Sequence, residues 1–571
     1  MDAGKRTLNE IFNNSRRLEI PFFQRPYVWR KNQWERFLED MEYVSSNNEY
    51  YFLGPLILKQ QMVNAAEIIG DVRLVVDGQQ RLTTLSILMK VLSLKSNLEE
   101  RFKSQFILHT GEPSLQHSDK DVEAYRRIMF LNSLDDVPGD NGIIKLYNFF
   151  KENADPKKLD YNAISYRVVF VGIDLHPEEN EQQIFDTINS LGVPLTTADL
   201  LKNYFFGRND RESYHTNWFD IFEKDDETQK YWEQKITTGR LPRTLIDLFF
   251  YDFLQIKIQD GSYDVNSEDK NNFSRMSSLF DSYKKFIKNY MKDDKSAVLE
   301  EIREYAVQFK KSISTKILTD DLTGKTGIDR INVIMFGLDT TTLLPYVLFV
   351  EKNVADLQTR NEIYEYLESF IMRRMAAGRS TKNYNHLFSE KLIFNRVLTR
   401  EALINALSVD NDTDSRMPSD QEVIEAFHSA ELINKYAAGV LYMIESKIRN
   451  YKKHTSKLIG IKDYTLEHLM PKNWTKNWRT ELGGYIDDDN RNKVLMTLGN
   501  LAIITHSLNS SIRDAAWNTK KTGDGGKGGL ERYASDLETL HDYLQSAVWN
   551  EELIYERAEF LADKALEVWK R

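Results

Sequence analysis

Two stretches near the C-terminal end carry residue types that hydrolyse phosphodiesters when a fold gathers them. TLEHLMPKNW (465–474) holds Glu467 beside His468, and LGNLAIITHSLNSSIRDAAWNTKK (498–521) holds Asn500, His506 and Asn509. A ββα-metal nuclease draws four things from two strands and a helix. They are a histidine that accepts a proton from water, an asparagine that fixes that histidine, and two ligands for a cation that stabilises the pentacovalent charge. His468, Asn500 and the pair Glu467 and Asn509 fill these roles in order. Glu and Asn oxygens suit a hard ion, Mg2+ or Mn2+. His506 is an alternative ligand. The same residues fit equally well as ordinary caps of turns.

A second constellation lies in VVDGQQRLTTLSIL (75–88). An apolar strand ends in Asp77-Gly78, and a helix begins at Gln79-Gln80-Arg81. Such a turn presents backbone N–H groups at the positive end of a helix, a natural seat for phosphate. Arg81 in the first turn opposes the helix dipole by ~0.3–1 kcal/mol, a cost that a bound anion reverses. Asp77, Gly78, Gln79, Gln80 and Arg81 are therefore candidate nucleotide contacts, with Asp77 and Arg81 the candidate catalytic pair. The plainer reading makes Asp77 an N-cap, Gly78 a turn and the glutamines surface. Upstream, IPFFQRPYVWRKNQW (20–34) interleaves rings with guanidinium groups. Gln24, Arg25, Tyr27 and Trp29 could stack a nucleic-acid base or line a pocket, although core packing is the plainer role. IFDTINSLGVPLTTADLLKNYFF (184–206) reads as helix, turn at Gly192-Val193-Pro194, and second helix, with Thr196 and Asp199 at capping-box spacing. Gly324-Lys325-Thr326 is no phosphate loop, because Thr319 stands where the first glycine belongs.

These groups need a large scaffold. The chain has 571 residues, enough for three or four domains at roughly 150 each. With 41% hydrophobic and 28% charged residues it is globular in composition, not disordered. The absence of cysteine excludes disulfides, thiol catalysis and thiolate zinc sites. No apolar run approaches the ~18 residues of a membrane span, and the first twenty residues lack the apolar core of a secretory signal. The expectation is a cytoplasmic protein without membrane partners. Net charge is −10, but Lys447–Thr480 holds nine Lys/Arg against Asp463 and Glu467, so that stretch is +7 and the remainder −17. A local basic face can hold phosphates on an acidic protein, which makes Lys452, Lys453 and Lys472 candidate DNA contacts, although charge runs are usually solvated helix faces.

Strand-length runs at 51–58, 73–77 and 166–174 alternate with helical patterns at Arg81–Leu94 and Glu181–Asn189, giving mixed α/β character up to about 214. From 215 to 440 helix periods dominate, as in 241–256, 343–352 and 361–375. Short strands return at 463–469 and 498–505, with a helix expected from about Asn509 to Asn518.

PFFQRPYVW (21–29), DGQQR (77–81), FDTINSLGVPLTTADLLKNY (185–204) and the series Glu467, His468, Pro471, Gly499–Leu501 and Asn509 occur in an order that resembles the GmrSD-type modification-dependent (type IV) restriction proteins. The chain is also similar to the phosphorothioate-sensing Ssp restriction proteins. The helical middle matches most clearly at 372–388. The resemblance implies a multi-domain α/β plus α architecture. Residues 1–214 would form a ParB/sulfiredoxin-like NTPase domain and 215–440 a helical middle. Residues 441–571 would form an HNH-type, ββα-metal nuclease domain set within helices. It implies that DGQQR binds or hydrolyses an NTP of the GTP, UTP or CTP kind, that His468 is the nuclease base, and that Asn509 with Glu467 holds the metal. The expected partner is DNA modified on a base or carrying a phosphorothioate backbone, with self-association into a homo-oligomer left open. The expected function is anti-phage restriction. The rival is a nucleotide-controlled DNA sensor whose nuclease-like domain is inactive.

Overall fold

Among the described residues, six strands carry the N-terminal region: β1 (Asp2–Thr7), β2 (Arg16–Glu19), β3 (Tyr51–Gln60), β4 (Asp71–Asp77), β5 (Leu115–Gln116) and β6 (Val168–Leu175). They form one sheet in the order β1-β6-β3-β4-β2-β5. β2 runs parallel to both β4 and β5, so these three strands end at the same edge of the sheet. The computed structural model describes residues 2–62, 70–117, 119–177, 196–207, 210–238, 241–408, 416–450, 456–478, 480 and 483–571. The chain divides into two units, Met1–Asp220 and Ile221–Arg571.

β3, β4 and β6 occupy the apolar runs that the sequence marks as strands. β6 starts at Val168 rather than Tyr166, because Asp160 caps a helix that runs through Tyr161–Arg167. β1, β2 and β5 escaped the sequence pattern. DAGKRT and RRLE are polar, and only Leu18 among them is buried; cross-strand partners hold them, as in the Arg6 ion pair with Asp174 at 3.1 Å. The helix Gln79–Ser96 is buried on every side from Leu82 to Ser93. Helices Lys31–Ser46 and Gly142–Asn153 contribute Trp34, Phe37, Met41, Ile143, Tyr147 and Phe150 to the same core. The capping box at Thr196 is present: its hydroxyl accepts from Asp199 N, and Asp199 accepts from Thr196 N at 3.1 Å. The helix expected at Glu181–Asn189 and the Gly192-Val193-Pro194 turn lie outside the described residues.

The second unit is mainly helical. The helix expected from Leu241 starts four residues later. Leu241–Thr244 is a strand, β8, paired with β7 (Lys235–Thr238), and Thr244 caps the helix Leu245–Gln259. The boundary expected at 440 falls inside the helix Asn434–Ile448. Residues on both sides of it share one core. Arg330 is fully buried and bonds Glu368 through two contacts of 2.7 Å, together with Ser446 and the Met443 carbonyl. Trp569 donates to the same Glu368 at 3.2 Å. Cutting the chain at 440 would strand buried charges, so the helical middle and the C-terminal region form one unit. Among the described residues no helix is long and apolar enough to cross a membrane.

Candidate functional site

In the second unit, β9 (Tyr464–His468) pairs antiparallel with β10 (Leu501–Thr505), setting His468 opposite Leu501 and Glu467 opposite Ala502. A helix, His506–Ile512, follows at once because the Thr505 hydroxyl caps Leu508 N at 3.4 Å. It begins three residues before the expected start and stops where Arg513 takes φ +38°; a separate helix, Trp517–Thr522, comes next. Two strands and a helix thus surround His468, and Asn509 Nδ2 ties the helix to β9 by donating to the Leu466 carbonyl at 3.0 Å.

His468 Nε2 is buried and has no hydrogen-bond partner among the described residues. Burial, reinforced by the positive charges of Lys472 and Lys520, pushes the imidazole down to about 4. It is therefore neutral at pH 7, with one ring nitrogen unprotonated. Asn500 is fully buried, and its side-chain hydrogen bonds go elsewhere than to that ring. Its Oδ1 accepts from Met470 N at 2.8 Å and Trp549 Nε1 at 3.0 Å, and its Nδ2 donates to the carbonyls of Met470 at 2.8 Å and Leu495 at 3.0 Å. Its backbone carbonyl also accepts from Leu469 N at 2.9 Å. Asn500 accordingly fixes the chain just beyond His468 rather than the imidazole itself. The glycine before it has a reason too, since a Cβ on Gly499 would lie 2.1 Å from the Ile554 carbonyl.

Glu467 departs from its expected place as a metal ligand. Adjacent strand residues face opposite sides, and the Glu467 carboxylate is buried in an ion pair with Lys520, a residue that sequence reasoning missed. Burial pushes the Glu467 carboxyl up and the Lys520 ammonium down, and their mutual attraction opposes both shifts. Among the described residues no group of three or more His, Cys, Asp or Glu side chains is placed to hold a metal. Asn509 Oδ1 remains as a hard-cation donor, but the side chains present do not complete a site for one. His506 is exposed at the helix start.

The basic stretch is not one face. Lys472 is exposed beside His468, whereas Arg449 is buried, paired with Glu445 at 3.1 Å and Asp536 at 2.7 Å. Lys452 and Lys453 lie outside the described residues.

In the first unit the two N-terminal motifs interlock at the carboxyl edge of β2, β4 and β5. Gly78 takes φ +105° at the N-cap, where a side chain would meet Leu56 Cδ1 at 2.8 Å. Gln80 accepts from Val28 N at 2.9 Å and donates to Pro26 O at 3.1 Å, Gln79 donates to Arg25 O at 3.2 Å, and Gln24 donates to Val75 O at 2.8 Å. Tyr27 does not present a ring to DNA. It is buried, and its hydroxyl bonds Thr84 at 2.6 Å and Trp34 Nε1 at 3.1 Å. Trp29 packs against the core, edge-on to Phe37. Asp77 is not the N-cap. It pairs with Arg81 at 3.0 Å, so the opposed dipole is offset within the chain, and Arg81 also donates to Leu53 O at 3.3 Å. Gln79 Oε1 is buried with no partner among the described residues. His117, unmarked by any motif, sits just past β5 with Nε2 3.1 Å from the Thr83 hydroxyl; burial pushes it down to about 3.

The N-terminal domain model of the GmrSD restriction endonucleases matches residues 8–206, and the C-terminal domain model of these enzymes matches residues 417–564. The chain belongs to the GmrSD restriction endonuclease family. The N-terminal GmrSD match takes in both interlocked motifs, and the C-terminal GmrSD match takes in β9, β10, Asn509 and Lys520. A GmrSD restriction endonuclease is a nuclease with DNA as its substrate. No curated protein matches the chain.

Proposed function

We propose that the chain is a restriction endonuclease of anti-phage defence that cleaves modified DNA, with an HNH-type nuclease in its second unit. A ParB/sulfiredoxin-like NTPase in the first unit controls it. The observation that carries the nuclease reading is the neutral, unpartnered His468 Nε2 at the end of β9. As water attacks phosphorus, that nitrogen takes the proton, the new P–O bond forms, and the bond to the leaving oxygen breaks. Lys472, exposed beside the ring, opposes the phosphate's negative charge. Cleavage is expected to need Mg2+ or Mn2+, for which Asn509 Oδ1 is one candidate donor among the described residues.

The nucleotide reading is supported by the left-handed Gly78 turn into a buried helix at the carboxyl edge of three parallel strands, where α/β sheets bind phosphates. Asp77 and Arg81 would act on an NTP there, with Gln79 Oε1 an acceptor turned inward. The recognised modification is a base adduct or a phosphorothioate.

The test is nicking of plasmids bearing glucosylated hydroxymethylcytosine, phosphorothioate or no modification, with Mg2+ and with or without NTP. His468→Ala should cut roughly 10²–10⁴-fold more slowly while hydrolysing NTP normally, and Asp77→Ala or Arg81→Ala should lose NTP hydrolysis and with it the NTP dependence of cleavage. Cutting by His468→Ala at the wild-type rate sinks the nuclease assignment. A second reading, an NTP-controlled DNA sensor with an inactive nuclease fold, is favoured by one observation: Lys520 neutralises Glu467. NTP-dependent DNA binding without any nicking in Mg2+ or Mn2+ would establish it.

A further inference from the structure

Lys520 reaches the candidate site from the helix Trp517–Thr522, with its side chain 0% exposed and that of Glu467 8% exposed. Its ammonium bonds Glu467 Oε1 and also donates to the backbone carbonyl of His468 at 2.8 Å. Burying a lone ammonium costs several kcal/mol unless a counter-ion and further acceptors receive its protons. Here one acceptor is that counter-ion, and the other belongs to the residue whose ring would do the chemistry.

We infer that Lys520 is a positioning residue for His468, and that Glu467 serves as its buried counter-ion rather than as a cation ligand. This rests on the reading of His468 as the base. An imidazole whose Nε2 has no partner takes its aim from its backbone and its packing. That backbone is pinned at two successive groups, the His468 carbonyl by Lys520 and the Leu469 N–H by the Asn500 carbonyl. The ladder to Leu501 holds the other side. A charge-assisted bond is about twice as strong as a neutral one, and a displacement of about 1 Å at a reacting group costs about 10²-fold in rate. The pair therefore acts on rate through geometry, without touching DNA.

The experiment compares Lys520→Met, Lys520→Arg, Glu467→Gln and the double variant Lys520→Met/Glu467→Gln in the full chain, with His468→Ala as reference. Plasmid cleavage, thermal melting and Mn2+ binding by calorimetry are measured, together with the 13C-labelled histidine resonances. Lys520→Met should lower kcat by about 10²-fold with KM unchanged, and should melt early because Glu467 is left buried and unpaired. The double variant removes both charges, so melting should recover while kcat stays low and the His468 resonance stays shifted. Lys520→Arg should restore part of kcat, and Glu467→Gln should leave Mn2+ affinity unchanged. Recovery of kcat together with melting in the double variant, or an unmoved His468 resonance, overturns the positioning role. Weakened Mn2+ binding by Glu467→Gln overturns the counter-ion assignment. An inactive His468→Ala beside a fully active double variant refutes this inference alone, whereas an active His468→Ala removes the base assignment beneath it.

Discussion

Replacing Asn500 with alanine removes one side chain and orphans four buried groups. The Met470 N–H and Trp549 Nε1–H lose their acceptor, and the Met470 and Leu495 carbonyls lose a donor. A buried polar group left unpaired costs about 1–3 kcal/mol, and carbonyls tolerate a missing bond better than N–H groups do. Counting the two donors fully and the carbonyls lightly gives a local loss of about 4 kcal/mol. At about 1.4 kcal/mol per decade this is roughly 10³-fold faster amide exchange. The assay is hydrogen exchange on the intact chain, because it reads the strands around His468 separately from the rest. Protection should collapse across 464–470 and 495–505 and persist in the first unit around 75–82. DNA cleavage should fall with it, since Met470 and Leu469 follow directly after His468. Asn500→Asp should be no better, because its second oxygen faces the two carbonyls that the amide had served. Wild-type protection and cleavage in Asn500→Ala would refute the claim that this amide holds the nuclease strand.

Gly78→Ala forces a β-carbon onto φ +105° and against Leu56, at a cost of about 1–3 kcal/mol; NTP hydrolysis should be lost and DNA cleavage by the second unit should lose its NTP dependence, and unchanged turnover would argue against the turn's role. Tyr27→Phe removes a hydroxyl bonded to Thr84 and Trp34, so it should destabilise the first unit by about 1 kcal/mol without changing DNA affinity in a fluorescence titration; weaker DNA binding at equal stability would return Tyr27 to the DNA-contact set. His117 is held neutral in the fold down to about 3, while the unfolded chain protonates it near 6.5. The unfolded state therefore gains the proton first, so this group costs nothing above about pH 6.5 and removes up to about 1.4 kcal/mol per unit as pH falls from there towards 3. Between pH 7 and 5 the first unit should lose about 2 kcal/mol of exchange stability that His117→Gln does not lose, and an equal pH slope in both proteins would contradict it.

Local pattern was enough to locate the strands β3, β4 and β6, the helix starting at Gln79, the capping box at Thr196, and the order strand, strand, helix around His468. Those features come from residues within about four positions of one another, whose side-chain period and caps decide backbone conformation before any long-range contact forms. Tertiary structure decided the remainder. The polar strands β1, β2 and β5 exist because neighbouring strands pair with them, which no period in DAGKRT or RRLE announces. Tyr27, with the ring and hydroxyl of a base-stacking residue, is buried, its hydroxyl bonded to Thr84 and accepting from Trp34 Nε1. Arg449, one of nine positive charges in a basic stretch, is withdrawn from solvent by Asp536, 87 residues away. Glu467 sits beside His468, the proposed base, in sequence and looks like a ligand; its partner, Lys520, is 53 residues downstream. Spacing along the chain states which groups are neighbours on a strand, but which side of the strand each faces, and which charge waits there, is settled only when the next helix packs.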